Sequence, residues 1–217
     1  MTKKPAPSPQ SPAPKSRKGI LFVISAPSGA GKTSICRKVL TLFPNLRQSI
    51  SYTTRAIRPG EQEGRDYHFV SRQVFEQMVA DGAFAEWAEV HGNRYGTASA
   101  TLQKACAEGA DILLEIDFQG AEQLRNSGLN GVYIFILPPD MSELRKRLES
   151  RNTDAEQVIE RRMDNAAGEI AAAINFDYLV VNDVLNQAVE KVRAIMMAET
   201  ARTNRVISVL PEEFGLK

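Results

Sequence analysis

Eight consecutive residues, Ala26-Pro27-Ser28-Gly29-Ala30-Gly31-Lys32-Thr33, carry the clearest chemistry in the chain. They match the pattern G-x-x-x-x-G-K-[ST] except that Ala26 stands at the first glycine. Small residues and glycines let successive backbone N–H groups wrap a phosphate. A helix beginning at Lys32 aims its N-terminus at the same anion. Lys32 then reaches the β- and γ-phosphates of a nucleoside triphosphate, and the Thr33 hydroxyl is placed to ligate Mg²⁺. The signal depends on context: the loop must join a buried strand to an amphipathic helix.

A second set of polar residues follows in Ser51-Tyr52-Thr53-Thr54-Arg55-Ala56-Ile57-Arg58-Pro59-Gly60, with Tyr67 close behind. Two guanidinium forks and a phenol suit a monophosphate, although two arginines alone also describe a solvated loop. Glu86 sits in Phe84-Ala85-Glu86-Trp87-Ala88-Glu89, ahead of Gly92-Asn93-Arg94-Tyr95-Gly96-Thr97. A carboxylate accepts two hydrogen bonds side by side, which matches the N1–H and N2–H₂ edge of guanine. Adenine presents an acceptor at N1 and leaves such a carboxylate unpaired. Taken alone, Glu86 reads first as a surface acid, and only its context makes it a base reader.

The elements that must position these groups are visible in the hydrophobic pattern. Ile20-Leu21-Phe22-Val23-Ile24 is a continuous apolar run ahead of the loop, and Ile35, Val39 and Leu42 form one helical stripe after it. Similar runs recur at Ile112–Ile116, Val132–Leu137 and Tyr178–Val181, with helical periodicity over 99–108, 154–172 and 187–202. This alternation predicts an α/β fold with a parallel sheet flanked by helices. Residues 47–98 break the rhythm with short alternating stretches at 49–54 and 66–70 and a helix near 71–81, which predicts a small, mostly β insertion. Residues 138–168 are highly charged and mostly helical, with Asp140/Glu143 and Thr153/Glu156 at capping-box spacing.

Composition narrows the classes. The chain has 217 residues, 43% hydrophobic and 24% charged, enough for a full core. No run approaches the ~18–20 apolar residues that span a bilayer, which speaks against a membrane protein. Two cysteines and two histidines supply little for a disulfide scaffold or a zinc site. Cys36 and Cys106 read as buried or half-buried thiols kept reduced in a cytoplasmic protein. Residues 1–18 hold five of the 27 basic side chains and no acid among five prolines, which predicts a disordered tail with order beginning at Gly19. The remainder, with 22 basic and 26 acidic groups, does not look like a nucleic-acid-binding body.

These motifs together resemble the guanylate kinases, from about Gly19 to Arg202. The resemblance rests on Ser25–Thr33, Ser51–Glu61, Gly64-Arg65-Asp66-Tyr67, Glu86-Trp87-Ala88, Gly92–Thr97, Glu115-Ile116-Asp117-Phe118-Gln119-Gly120, Arg151-Asn152-Thr153 and Val181-Asn182-Asp183, in order and spacing. Ala26 itself is similar to a variant in bacterial members. The resemblance implies a P-loop NTPase-type core (19–50, 99–137 and 169–217), a GMP-binding insertion (51–98) and a lid (138–168). It implies in-line transfer of a phosphoryl group from ATP to GMP, and to dGMP, with Mg²⁺. The implied ATP site is Ser28, Gly29, Ala30, Gly31, Lys32, Thr33 and Ser34, with Asn182 near the adenine. Arg55, Arg58, Tyr67 and Tyr95 are implied to hold the GMP phosphate, and Ser51, Glu86 and Thr97 to read guanine. Glu115, where many members carry Asp, and Asp117 are implied to contact GMP or a Mg²⁺-bound water, Asp117 being the better placed. Lys32, Arg151 and Arg162 are the implied catalytic charges, the two arginines belonging to the lid.

Phosphoryl transfer to an already ionised phosphate needs no strong base, so His68 and His91 read as structural. The alternatives are a catalytically inactive interaction module, a regulatory GTPase and a kinase for another monophosphate. Lys32, Thr33, Arg55 and Arg58 argue against the first, and the absence of an Asn-Lys-x-Asp motif against the second. The expected partners are ATP and GMP, with neither nucleic acid nor membrane; a homo-oligomer stays open.

Overall fold

The computed structural model describes residues 17–90, 92–150 and 156–216. Its first strand, β1 (Leu21–Ser25), runs into the glycine-rich loop and then α1 (Lys32–Leu42), as the apolar run, Ile35 and Val39 predict; Leu42, at the helix end, is exposed, and Cys36 takes its place in the core. A five-stranded sheet forms around β1 in the order β2-β7-β1-β8-β9, where β2 is Arg47–Gln48, β7 Ile112–Glu115, β8 Gly131–Leu137 and β9 Tyr178–Val181. Every pairing in it is parallel.

Period-two alternation sends each strand's side chains to two different cores. Ile20, Phe22 and Ile24 join Leu113, Val132, Ile134 and Ile136 under α1 and α7 (Leu185–Thr200). Val23 faces the other way, with Leu114, Ile116 and Tyr133, under α3 (Ser99–Ala107) and α4 (Phe118–Asn126). Burial on both faces is the reason these strands read as unbroken apolar runs. At roughly 1.5–3 kcal/mol per buried large side chain, this double core makes the sheet a rigid base for the loops at its carboxyl edge.

A second sheet, in the order β4-β3-β6-β5, is formed by β3 (Tyr52–Thr53), β4 (His68–Phe69), β5 (Phe84–Val90) and β6 (Asn93–Ala98). The helix expected near 71–81 is α2 (Arg72–Ala80), whose N-cap Ser71 accepts from the Val74 N–H. Phe75 anchors α2 by stacking on Phe84 at 4.6 Å and meeting Trp87 edge-on.

The charged segment folds as α5 (Met141–Glu149) and α6 (Glu156–Ala171), packed through Leu144, Leu148, Ile159 and Ala166. Asp140 caps α5 by accepting from the Glu143 N–H at 2.7 Å. The Thr153 cap, His91 and Arg151 lie outside the described residues, as does the tail through Ser16. Past α7 the chain ends in α8 (Thr203–Val206) and a short 3₁₀ turn.

Three expectations are corrected. Arg17 is anchored, donating to both Asp111 carboxylate oxygens at 2.8 and 2.5 Å, because that carboxylate also accepts from Ile20 N–H at the sheet entrance. Cys106 is exposed, one residue from the end of α3 and past the buried Leu102 and Ala105; Cys36 is buried as expected. The stretches 49–54 and 66–70 form only two-residue strands, because the flanking residues turn into loops.

Candidate active site

The glycine-rich loop leaves the carboxyl end of β1. Its left-handed positions fall on Gly29 (φ 96°) and Gly31 (φ 92°), which only glycine adopts without strain. Both glycines also make room for neighbours. A side chain at Gly29 would press on Leu144 and Leu148 of α5 at 3.0 Å, and one at Gly31 would strike the Asn182 amide. The N-terminus of α1 has no side-chain cap and no acid in its first turn, so its N–H groups remain available to an anion.

Lys32 Nζ donates to the Ile116 carbonyl at 2.7 Å, and the Thr33 hydroxyl donates to Glu115. The lysine thus rests at the end of β7, beside the loop it is expected to serve. Asn182 is buried and donates to the Ala30 carbonyl at 2.7 Å. It pins the loop from behind, with its amide also against Gly31.

The small sheet faces the loop across a cleft. Ser28, Gly29, Gly31, Lys32, Thr33 and Ser34 line one wall. Ser51, Tyr67, Glu86, Tyr95, Glu115 and Asp117 line the rest, joined by Glu169 from α6. Residues as far apart in sequence as Ser28 and Glu86 therefore share one cavity. Arg55 lies just behind this surface. It donates twice to Glu61, at 3.1 and 2.7 Å, and its guanidinium stands 5.4 Å from the Tyr67 ring centre. Glu61 also accepts from the Arg58 N–H at 2.9 Å, which folds the Pro59-Gly60 turn around it. The Arg58 side chain belongs to an exposed loop. Tyr67 and Tyr95 meet edge-on at 5.8 Å. Burial, with the charge of Glu115 adding, pushes the Tyr67 phenol up to about 12, so it stays a hydrogen-bond donor.

Glu86 lies opposite Thr97 in the β5–β6 register, beside an irregularity between Phe84 and Glu86 that re-aims the strand. Its side chain is only 4% exposed. Burial pushes its carboxyl up to about 7; Thr97 opposes the shift and the charge of Asp117 adds to it. Thr97 Oγ1 is fully buried with no hydrogen bond of good geometry among the described residues. It lies outside the cleft wall and favours the ionised form of the neighbouring Glu86 carboxyl. Asp117 caps α4, accepting from the Gly120 N–H at 2.9 Å, and burial raises its pKa. Any side chain at Gly120 would collide with the Glu86 carboxylate, so the glycine is what lets α4 close behind it.

Between Glu115 and Asp117, the structure ties Glu115 to the Thr33 hydroxyl and Asp117 to its own helix. Arg162 is half-buried on α6 and lies outside the cavity wall. Sequence reasoning missed Glu169 entirely, since one acid in a charged helix carries no signal. It also gave no role to Glu61, for which the turn residues Pro59-Gly60 between two arginines and an acid were the available cue. His68 makes its ring contact with Glu63 at 2.9 Å and packs against Tyr52, outside the cleft.

A phosphate loop at the carboxyl edge of a parallel sheet, facing a second, smaller sheet across a cleft, defines a P-loop nucleotide-binding fold. Residues 18–199 match the guanylate kinase family model. A guanylate kinase of Syntrophotalea carbinolica is 58% identical over 192 residues, covering 88% of this chain and 91% of that protein. One from Geobacter sulfurreducens is 52% identical over 200 residues, covering 92% and 98%. The crystal structure of guanylate kinase from Anaplasma phagocytophilum superposes with a TM-score of 0.73 at 37% identity, covering 88% of this chain and 90% of that one. The chain belongs to the guanylate kinase family.

Proposed function

We propose that this protein transfers the γ-phosphoryl group of ATP to the phosphate of GMP, producing ADP and GDP, in the cytoplasm where both substrates are found. An oxygen of the GMP phosphate forms the new bond to the γ-phosphorus as the bond to the ADP oxygen breaks. The acceptor oxygen is already ionised, so the protein's task is alignment, charge neutralisation and exclusion of water.

The observation that carries this reading is Glu86 in the wall of the same cleft as the phosphate loop, with Thr97 opposite it in the strand register. The loop N–H groups and Lys32 suit the donor phosphates. Arg55, held in its fork by Glu61, suits the acceptor phosphate, with Arg58, Tyr67 and Tyr95 beside it. Ser51, Glu86 and Thr97 suit guanine, the carboxylate accepting from N1–H and N2–H₂. The Thr33 hydroxyl and Glu115 carboxylate are hard oxygen donors close together, a set that fits Mg²⁺ when phosphates complete the shell. Bound there, the ion would neutralise phosphate charge. Arg162 and Arg151, from the helical lid, are assigned the outer charge on the moving phosphoryl group. The test is ADP release across GMP, dGMP, AMP, CMP and UMP. Turnover with the guanine nucleotides and little with the rest is expected; equal turnover with AMP would refute the acceptor assignment. No helix among the described residues is long and apolar enough to cross a membrane.

A further inference from the structure

Glu169 is a carboxylate in a place built for phosphates. It stands in the last turn of α6 and lines the cleft next to the glycine-rich loop, where the Ser28 backbone N–H favours its ionised form. The charged groups facing it are Lys32 from α1, which favours its ionised form, and Asp117 from the start of α4, which opposes it. On its own helix, Arg162 lies seven residues earlier and therefore on the same face. The helix is held against the loop through α5, whose Leu144 and Leu148 fill the space over Gly29.

An ionised Glu169 presents one negative charge to the same loop and lysine that the donor phosphates require. Two anions cannot share that cradle without a large Coulomb penalty. We propose that Glu169 is a phosphate placeholder: its carboxylate holds the loop in the nucleotide-free protein, and the donor nucleotide binds by displacing or neutralising it. Burial pushes this carboxyl up to about 7 against the pull of Lys32, so its charge is lost as the pH falls below neutral. The inference rests on the reading of the loop as the ATP site.

The test is equilibrium binding of ATP, in the absence of acceptor, to wild type and to Glu169→Gln, which keeps the shape and removes the charge. Glu169→Ala, which removes the whole group, is the second variant. Both are expected to bind ATP about five- to tenfold more tightly at pH 8, with the gain shrinking toward pH 6 as the wild-type carboxyl takes up its proton. A GMP titration of each variant, expected to match wild type, shows that the fold and the acceptor lobe are intact. Unchanged or weaker ATP binding by both variants, with normal GMP binding, overturns the placeholder. Because the readout is binding without acceptor, it is independent of which monophosphate accepts the phosphoryl group. Failure of the acceptor panel therefore leaves this result standing, and the reverse also holds.

Discussion

Replacing Glu86 by Gln should make the protein a worse kinase and a more stable fold, and the two effects have the same cause. The amide offers one acceptor where the carboxylate offers two, and it turns a donor toward the N–H edge of guanine. Leaving one polar group of that edge unpaired costs about 1–3 kcal/mol. At ~1.4 kcal/mol per factor of ten, kcat/KM for GMP should fall about 5- to 150-fold. The same amide pairs well with adenine's N1 acceptor and N6 donor, so the GMP/AMP ratio should narrow further. Stability moves the other way. Burial raises the Glu86 carboxyl from 4.5 to about 7, so the folded state holds this proton more tightly than the unfolded chain does. Its contribution to stability is full below pH 4.5, declines between 4.5 and 7, and is lost above 7. Over ~2.5 pH units the cost of the ionised group reaches about 3 kcal/mol. Glu86→Gln avoids that cost, so its advantage over wild type in urea unfolding should be larger at pH 8 than at pH 5 by most of that amount. The kinetics are read by coupled ADP release. Unchanged GMP kinetics would remove Glu86 as the guanine reader; a stability difference independent of pH would remove burial of its charge as the cause.

Three further perturbations probe the rest of the cleft. Lys32→Ala should lower turnover by orders of magnitude while the circular dichroism spectrum and unfolding midpoint stay close to wild type; substantial residual turnover would contradict the loop assignment. Asn182→Ala removes the bond that pins Ala30. KM for ATP should rise about tenfold with KM for GMP little changed, measured by varying each substrate in turn. Glu61→Gln breaks the double bond that orients Arg55, and should raise KM for GMP about tenfold while KM for ATP holds, since a neutral amide cannot match the guanidinium fork. An equal loss for both substrates would make Glu61 a general fold element instead.

How much of this was legible beforehand follows from the physics of each element. Ile20–Ile24 and Val132–Leu137 announce buried parallel strands because both of their faces are covered, which leaves no polar alternation to blur the run. The phosphate loop is legible because its chemistry is local: eight neighbouring residues contain every requirement. Helix α4 is hard to see in the sequence, because its buried face is Gly120, Ala121 and Leu124, only the last of them a large apolar side chain. The bond from Asn182 to the Ala30 carbonyl is not legible in the sequence, because no local pattern reveals a partner 152 residues away. Glu169 and the Arg17–Asp111 pair escaped for the same reason. Their meaning lies in what the folded chain brings beside them, and a single acid or a terminal arginine has no periodicity to betray it.

The account depends on a single groove gripping a purine triphosphate and a guanine monophosphate head to head. A bisubstrate probe, adenosine joined to guanosine 5′-to-5′ through five phosphates, measures that directly against the matching diadenosine compound. The account predicts one molecule bound per chain, competition with both ATP and GMP, tighter binding than either nucleotide alone, and clear preference over the diadenosine probe. Competition with only one of the two substrates, or equal affinity for both probes, would contradict it.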